Sequence, residues 1–297
     1  MQGVIEKILN WNHYQRLRKR FPMPEILDRV KTSQIIAQQD TLSLVRYGDG
    51  ELGQIINCDD LGFQKFDPLL TERLRQILAA EPDPNIMICI PDVFESLRHL
   101  REEPRRFWWW WVVSKREALS AMIKSMQYGD AFVTRLYVPW VDRSKELEIV
   151  SNLKKAWSGK HVIIVEGEKT RWGVGNDLLD NTASVRRILC PSRNAFSKYS
   201  AILEMCRQQA VPDCVFILAV GPTATVLAYD LAKSGMRALD MGHLDLQYEY
   251  LRNQSDERIH ISGKYNNELK NSEVEECLSQ PYLDSIIVDF SHDSDED

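Results

Sequence analysis

The sequence predicts an α/β protein whose sheet is Rossmann-like, mainly parallel and covered by helices on both faces. From residue 41 onward, short apolar runs alternate with longer amphipathic segments. The runs are almost continuous in Val, Ile and Leu, which is typical of strands that are buried on both faces. The segments between them are long enough for the helical crossovers that connect parallel strands.

Seven apolar runs are the predicted strands. They are TLSLVRYG (41–48), NIMICIP (85–91), AFVTRLYV (131–138), KHVIIVEG (160–167), VRRILCP (185–191), CVFILAVG (214–221) and MRALDMG (236–242). Three amphipathic segments between the later runs are the predicted helices: SKELEIVSNLKKAWSG (144–159), KYSAILEMCRQQA (198–210) and TATVLAYDLAKSG (223–235). The last helix should be closed by Gly235, because glycine readily adopts the left-handed conformation found after many helices.

The N-terminal part of the chain departs from this alternation. Residues 1–34 are predicted to form a helical segment, and their basic stretch RLRKRF is ended by Pro22 and Pro24. We interpret the segment as a helix packed on the domain or on a second subunit, which is compatible with a homodimer. The alternative is a basic amphipathic helix that makes a peripheral contact with a membrane surface.

Two further segments flank or interrupt the predicted domain, which covers residues 35–255. Residues 92–130 are predicted to be helical and contain four adjacent tryptophans, Trp108 to Trp111, which cannot all face one way on a helix. We expect two or three of them in the core; the alternative is a platform that stacks on a sugar acceptor. Residues 256–297 form a polar C-terminal extension with an acidic, disordered end. Its one apolar stretch, PYLDSIIVDF, is expected to dock as a strand or a helix.

Composition excludes several classes of protein. The formal net charge of −6 gives no general electrostatic attraction for nucleic acid, which needs a basic face, and leaves only a local basic patch open. The six cysteines are scattered, without the clusters that bind zinc or the spacing of a disulfide framework, and are interpreted as free thiols in a reducing compartment. The sequence has no signal peptide and no apolar stretch of about 20 residues for a membrane span. We therefore expect a cytoplasmic protein.

The first cluster that could carry chemistry is RYGDGE, Arg46 to Glu51, directly after a predicted strand. Gly48 allows a tight backbone path there, at the sheet edge where open α/β sheets bind ligands. Asp49 and Glu51 are two residues apart, so an extended segment would project both carboxylates to one side. Such a pair suits Mg²⁺ or Mn²⁺, which completes its shell with substrate phosphate. The alternative is a solvated acidic turn.

The second cluster is the loop VEGEKTRWGVGND, residues 165–177, which again follows a predicted strand. Backbone amides of a glycine-rich turn, with cations beside them, can bind phosphate. The candidate substrate-binding residues of this loop are Gly167, Lys169, Arg171, Gly175, Asn176 and Asp177. Because both the Walker A ending and the GxGxxG fingerprint are missing, the loop does not indicate a nicotinamide cofactor.

Two more clusters follow later strands. GPTATVLAYDL begins a helix, and Gly221, Thr223 and Thr225 lie near its positive end, where a diphosphate or ribose would bind. The alternative is an ordinary strand-to-helix connection.

DMGHLDLQYEY follows the last predicted strand and supplies three candidate general bases. His243, Asp245 and Glu249 could each take a proton from an acceptor hydroxyl if they face the cleft. The sequence does not distinguish among the three. Since all four clusters follow strands, we expect them to meet at one edge of the sheet.

Taken together and in order, these motifs resemble the GT-D-type bacterial glycosyltransferases. The resemblance covers about residues 35–255 and includes RYGDGE, VEGEKTRWGVGNDLLDN, RRILCPSRNAF, GPTATVLAYDLAKSG and DMGHLDLQYEY. It implies a GT-D fold, a UDP-sugar donor with UDP-glucose as the leading candidate, and a glycan or glycoprotein acceptor. It also implies a D-x-E motif at Asp49 and Glu51 that binds Mn²⁺ or Mg²⁺. Arg46 and Gly48 are further candidates for binding the substrate, and Arg46 is expected to orient the two carboxylates. The alternatives are a nucleotide-sugar hydrolase or phosphate-ester transferase, and a non-catalytic module that binds nucleotide or glycan.

Overall fold

The computed structural model describes residues 12–137, 139–266, 268–269, 274 and 279–291. Within these residues the chain forms one parallel sheet with helices on both faces, so the predicted fold class is confirmed. The strands are β1 (Glu25–Ile26), β2 (Ser43–Arg46), β3 (Ile86–Ile90), β4 (Gln127–Asp130), β5 (His161–Gly167), β6 (Ser184–Cys190), β7 (Cys214–Ala219), β8 (Arg237–Asp240) and β9 (Ile286–Asp289).

The helices lie between and beyond these strands. They are α1 (residues 12–20), α2 (Arg29–Gln38), α3 (Asp49–Asn57), α4 (Pro68–Leu78), α5 (Glu102–Met122), α6 (Glu146–Ala156), α7 (Tyr199–Gln209), α8 (Pro222–Lys233), α9 (Leu244–Arg252) and α10 (Gln280–Ser285). None of the helices in the described ranges is both long and apolar enough to span a membrane.

The strand order is β1-β4-β3-β2-β8-β7-β5-β6-β9, and every pairing is parallel. The chain leaves β2 towards β3 on one side of the sheet, whereas it leaves β8 towards β9 on the other side. A crevice opens at such a switch point, outside the carboxyl ends of the two strands. The fold therefore brings the segments after β2 and β8 to one ligand-binding position.

Both faces of the sheet are covered, as the near-continuous apolar strands predict. On β5, Ile163 and Val165 pack into one core cluster with α3, α4, α5, α7 and α8. Val162 and Ile164 point to the other face and pack with α2, α6 and α9. Because successive side chains of a strand alternate between faces, only an apolar residue at every position fills both clusters.

Six of the seven predicted strands are confirmed, and one is wrong. The run 131–138 begins with a 3-10 turn, Ala131–Thr134, and the strand at this position is the preceding segment, β4. The Asp130 carboxylate accepts a hydrogen bond from the Phe132 amide at 2.8 Å, so a side-chain cap at the end of β4 starts the turn. Gly235 follows α8 with φ +78°, as expected of a residue that closes a helix.

The ends of the chain agree only partly with the sequence. Residues 1–11 of the predicted N-terminal helical segment lie outside the described ranges. Within the rest of the segment, α1 and α2 are helical. They do not form one continuous helix through residue 34, because the prolines between them lead into the short strand β1. The stretch PYLDSIIVDF forms both α10 and β9, and β9 extends the sheet by pairing with β6. The acidic end of SHDSDED, which was predicted to be disordered, also lies outside the described part of the chain, from residue 292 onward.

Candidate active-site cleft

A cleft of about 600 Å³ lies at the carboxyl edge of the sheet, at the switch point. Its volume is in the range that holds a nucleotide-sized ligand. Seven strands end at it, with lining residues Gly48 after β2, Pro91 after β3, Ala131 after β4, Gly167 of β5, Pro191 after β6, Val220 after β7 and Asp240 of β8. The prediction that several strand ends contribute to one site is therefore confirmed in geometry.

Asp49 and Glu51 both line the cleft, but the segment that holds them is not extended. The chain turns into α3 after Gly48, so both carboxylates lie in the first turn of a helix. Glu51 Oε2 accepts a hydrogen bond from the Gly48 amide at 2.7 Å, and this capping contact fixes the start of the helix. Carboxylates are favourable at this position because the helix N-terminus carries a partial positive charge.

The surroundings of Glu51 are short of positive charge. The pKa of Glu51 is raised from 4.5 to about 7, mainly by burial and further by the negative charges of Asp240 and Asp49. Hydrogen bonds from backbone amides lower this pKa but do not cancel the increase. Asp49 is exposed to the cleft. A cation between the two side chains would offset this charge.

The donor set defines what kind of metal ion could bind. No group of three or more His, Cys, Asp or Glu side chains with metal-ligand geometry exists among the residues that the structure describes. Two carboxylates fit an ion that takes its remaining ligands from substrate phosphate and water, as Mg²⁺ commonly does. They do not fit a structural ion held by protein ligands alone.

Arg46 has a different role from the one expected. Its Nη2 atom lies 2.8 Å from Asp240 Oδ1, and its Nε donates to the Asp240 carbonyl at 2.6 Å. The turn that follows β8 approaches this guanidinium so closely that a side chain at Gly242, where φ is +43°, would collide with it. Arg46 lines the cleft, and its charge neutralises Asp240 rather than Asp49 or Glu51.

Two of the three candidate bases, Asp245 and His243, line the cleft, and His243 is the more exposed one. It precedes α9 and lines the cleft, and its Nδ1 atom lies 3.1 Å from Glu268 Oε1. Its other ring nitrogen, Nε2, makes no hydrogen bond to the described part of the protein. This nitrogen is available to a substrate.

Asp245 and Glu249 are engaged by the protein. Asp245 is 2% exposed and lies 2.6 Å from Lys264 Nζ, and it also accepts hydrogen bonds from the Gly173 amide and the Asn176 side chain. Glu249 is not part of the cleft lining; it accepts from Asn176 at 2.8 Å. The two carboxylates are therefore partners in a buried polar cluster.

The loop 165–177 contributes much less to the cleft than its composition predicts. Of its six candidate residues, only Gly167 lines the cleft. Arg171 donates to the Gly263 carbonyl, and Lys169 is exposed away from the cleft lining. Asp177 accepts from Lys154 and Tyr248, and these hydrogen bonds lower its pKa from 3.8 to about 2.

Asn176 and Gly175 complete this loop outside the cleft lining. Asn176 joins Asp245 to Glu249, and the carbonyl of Gly175 accepts from Arg252. Gly175, Asn176 and Asp177 are thus bonded to neighbouring protein groups.

The segment after β7 is split between the cleft and the interior. Gly221 lines the cleft with φ +57°, and the Phe63 ring fills the space where a β-carbon would lie. Thr223 is fully buried and outside the lining, and Thr225 donates to the Arg46 carbonyl at 2.9 Å. Thr225 therefore ties the start of α8 to β2, whereas the buried Thr223 hydroxyl has no hydrogen-bond partner among the described residues.

Several cleft residues were missed by the sequence analysis: Thr170, Trp172, Arg135, Arg193, Tyr265 and Glu268. Arg135 belongs to the run that was misread as a strand, and Tyr265 and Glu268 belong to the segment that was assigned to the C-terminal extension. Arg193 lies in RRILCPSRNAF, and Thr170 and Trp172 lie in VEGEKTRWGVGNDLLDN, two stretches that carry the resemblance. The buried indole nitrogen of Trp172 has no acceptor among the described residues, as expected of a group that meets a ligand or water.

The tryptophan run divides between core and surface. Trp108 and Trp111 are buried, as predicted, and Trp108 also forms part of the cleft wall. Trp110 is 66% exposed, and Trp109 is partly buried against the core. A helix imposes this division, since adjacent side chains point about 100° apart.

Two named relatives share most of this chain. It is 36% identical over 252 residues to "Probable glycosyl transferase Gly" of Streptococcus gordonii, covering 84% of this chain and 37% of that protein. It is 31% identical over 246 residues to "Glycosyltransferase GlyD" of Streptococcus pneumoniae serotype 4, covering 83% of this chain and 30% of that protein. The chain thus spans about a third of the length of the curated relatives it matches.

Solved structures that resemble this chain are also described as glycosyltransferases. The structure described as "The highly conserved domain of unknown function 1792 has a distinct glycosyltransferase fold" superposes with a TM-score of 0.87 at 30% identity, covering 95% of this chain and 99% of that one. "A New Glycosyltransferase (DUF1792) from Streptococcus sanguinis" superposes with a TM-score of 0.85 at 34% identity, covering 90% and 100%. The family described as "Glycosyltransferase GT-D fold" matches residues 44–269. The resemblance stated from the sequence is therefore confirmed, and this chain belongs to the GT-D-fold glycosyltransferase family.

Proposed function

We propose that this chain is a metal-dependent glycosyltransferase that moves a sugar, with glucose as the leading candidate, from a UDP-sugar to a hydroxyl of a glycan or glycoprotein. One observation carries the proposal: a single cleft holds two neighbouring carboxylates, Asp49 and Glu51, and a histidine, His243, one ring nitrogen of which has no hydrogen bond to any described residue. Membership of the family supports sugar transfer as the reaction class. The UDP group, the donor sugar and the acceptor rest on the sequence resemblance.

The donor's diphosphate belongs near the start of α3 in this proposal. Asp49 and Glu51 would hold Mn²⁺ or Mg²⁺ together with phosphate oxygens, which fits the excess negative charge around Glu51. When bound, the ion would supply Lewis-acid stabilisation of the departing phosphate, which contributes several kcal/mol in comparable sites. Arg193, an exposed cation of the cleft with no ion pair among the described residues, is suited to an additional phosphate contact.

His243 is the proposed base. As the acceptor oxygen forms a bond to the anomeric carbon, the bond from that carbon to the phosphate oxygen breaks, and UDP leaves with the electron pair. The acceptor's proton passes to Nε2 of His243, a role worth about 10²- to 10⁴-fold in rate. Asp245 is less suited because Lys264, Gly173 and Asn176 already occupy its oxygens.

The test is turnover of a panel of UDP-, GDP- and CMP-sugars with Mn²⁺ or EDTA, with and without glycan acceptors. We expect UDP release that depends on the metal and on the acceptor, together with a glycosylated product. UDP release that is equal without acceptor, with free sugar as the product, would indicate a hydrolase instead. Binding of nucleotide without turnover under any condition would indicate a binding module.

A further inference from the structure

The segment after α9 brings a carboxylate, Glu268, to the wall of the cleft. Asn266 fixes this part of the chain: its side chain donates to the Tyr250 hydroxyl of α9 at 2.6 Å and accepts from the Glu268 amide at 2.9 Å. Lys264 anchors the same segment to Asp245. Glu268 is therefore held in place from α9, although it lies outside that helix.

Three cationic or polar donors surround the Glu268 carboxylate. Arg135 Nη1 lies 2.6 Å and His243 Nδ1 lies 3.1 Å from Oε1, and Arg258 Nε lies 2.7 Å from Oε2. Burial alone would raise the pKa of Glu268. The pKa is nevertheless held well below its usual range by Arg135, His243 and Arg258. The group is a carboxylate at neutral pH and can only accept hydrogen bonds.

This charge state decides the direction of the hydrogen bond to His243. Because Glu268 has no proton to donate, the proton between the two side chains must be on Nδ1 of the ring. In a neutral imidazole the other nitrogen, Nε2, then has the lone pair. Nε2 is the nitrogen without a partner in the described protein, and His243 lines the cleft.

We propose that Glu268 is a positioning residue that keeps His243 in the Nδ1–H tautomer, with the lone pair of Nε2 directed to the acceptor hydroxyl. The proposal rests on the proposed function in one respect, that His243 takes the acceptor's proton. Arg135 is held by the same oxygen, Oε1, so the guanidinium and the imidazole have a fixed separation in the cleft. Glu268 itself need not touch the substrate.

The tautomer can be measured without any substrate. ¹⁵N-labelled protein has six histidines, and His243→Asn identifies the signals of His243. At a pH where its ring is neutral, located by titration, we expect Nε2 to have the chemical shift of an unprotonated nitrogen and Nδ1 that of a protonated one. Glu268→Ala should shift the ring towards the Nε2–H tautomer. Glu257→Gln, an exposed carboxylate of the same segment with no side-chain contact to His243, is the matched control and should leave it unchanged.

Kinetics then test whether the tautomer matters for the reaction. We expect Glu268→Gln and Glu268→Ala to lower kcat by about 10- to 10³-fold, within the range of a general base, and to leave the KM for the donor within about threefold of the original. Glu257→Gln should keep both constants. A structural role alone would lower the amount of folded protein without changing the tautomer.

Three results would overturn the proposal. The first is an Nε2–H tautomer in the original protein, which needs no variant and is informative even if Glu268→Ala does not fold. The second is a tautomer that Glu268→Ala leaves unchanged, and the third is a changed tautomer with unchanged kcat. If no sugar donor is turned over, but the tautomer follows Glu268, then the proposed function fails while the contact between Glu268 and His243 stands.

Discussion

The segment after β2 and the loop after β5 have similar compositions, but their polar side chains are bonded differently. Both combine glycines with acidic residues at the carboxyl edge of the sheet. After β2, Asp49 is open to the cleft and Glu51 has no ion pair with a described residue, whereas after β5 Asp177 and Asn176 are bonded to neighbouring protein groups. The comparison teaches that a ligand site is marked by charged groups to which the protein gives no counter-charge.

The largest expected effect concerns two ion pairs: Lys264 with Asp245, a carboxylate that also accepts from the Gly173 amide of the β5 loop, and Lys154 with Asp177 of the loop itself. Lys264–Asp245 and Lys154–Asp177 have the same Nζ–Oδ2 distance, 2.6 Å, but the side chains of the first pair are 4% and 2% exposed and those of the second 22% and 47%. Lys264→Met should lower the free energy of unfolding by about 3–5 kcal/mol, because a buried carboxylate loses its partner. Lys154→Met should cost less than about 1 kcal/mol. Urea unfolding measures both, and equal losses would contradict the comparison.

The next effect concerns catalysis at the β2 segment. Asp49→Asn should lower turnover of the UDP-sugar with Mn²⁺ by about 10²- to 10³-fold, as expected when one stabilising group of a transition state is lost. Asp177→Asn, the same change in the β5 loop, should leave turnover within about twofold. If the two variants were equally impaired, the assignment of the metal to the β2 segment would be wrong.

The pH dependence of stability should have opposite signs in the two regions. The folded pKa of Glu51 is raised to about 7, so Glu51 contributes stability that is complete below pH 4.5 and is lost as the pH rises through 7. Glu51→Gln should therefore be more stable than the original protein at pH 8, by about 1–3 kcal/mol, and equal to it below pH 4.5. Added Mn²⁺ should reduce the difference at pH 8.

Asp177 provides the opposite case, since its pKa is lowered to about 2. Its contribution is present above pH 3.8 and is lost as the pH falls through 2. Asp177→Asn should thus be slightly less stable than the original protein at pH 7, by well under 1 kcal/mol because the side chain is half exposed. Thermal unfolding between pH 2 and 8 measures both variants, and parallel profiles for them would refute the opposite signs.

The smallest effect concerns two exposed cations, Arg193 in the cleft and Lys169 in the β5 loop. Arg193 lines the cleft and Lys169 does not. Arg193→Ala should raise the KM for the UDP-sugar by about 3- to 10-fold, as expected for a solvent-exposed contact to phosphate. Lys169→Ala should leave this KM unchanged. A larger effect from Lys169 than from Arg193 would return the phosphate site to the β5 loop, as the sequence predicted.

The fold was predictable because its signal is local. The continuous apolar runs at residues 160–167 and 214–221 can only be strands buried on both faces, and they became β5 and β7. The prediction of a strand at 131–138 was wrong because Asp130 caps a turn that interrupts this apolar run. The cause is also local, but a single capping aspartate is a weak signal in a sequence. Glu268 could not be found at all from the sequence, because its partners, Arg135 and His243, are 133 and 25 residues away.

The buried pair of Lys264 and Asp245 has a consequence for the order in which the protein can be assembled. During synthesis, all strands from β2 to β8 and the whole of α9 leave the ribosome before Lys264 does. Until then, Asp245 and Glu249 have no lysine opposite them, so α9 could dock on the sheet only by burying uncompensated negative charge. The part of the cleft next to α9 is thus expected to form last during synthesis. The shortest fragment that folds around a complete cleft must extend to residue 268.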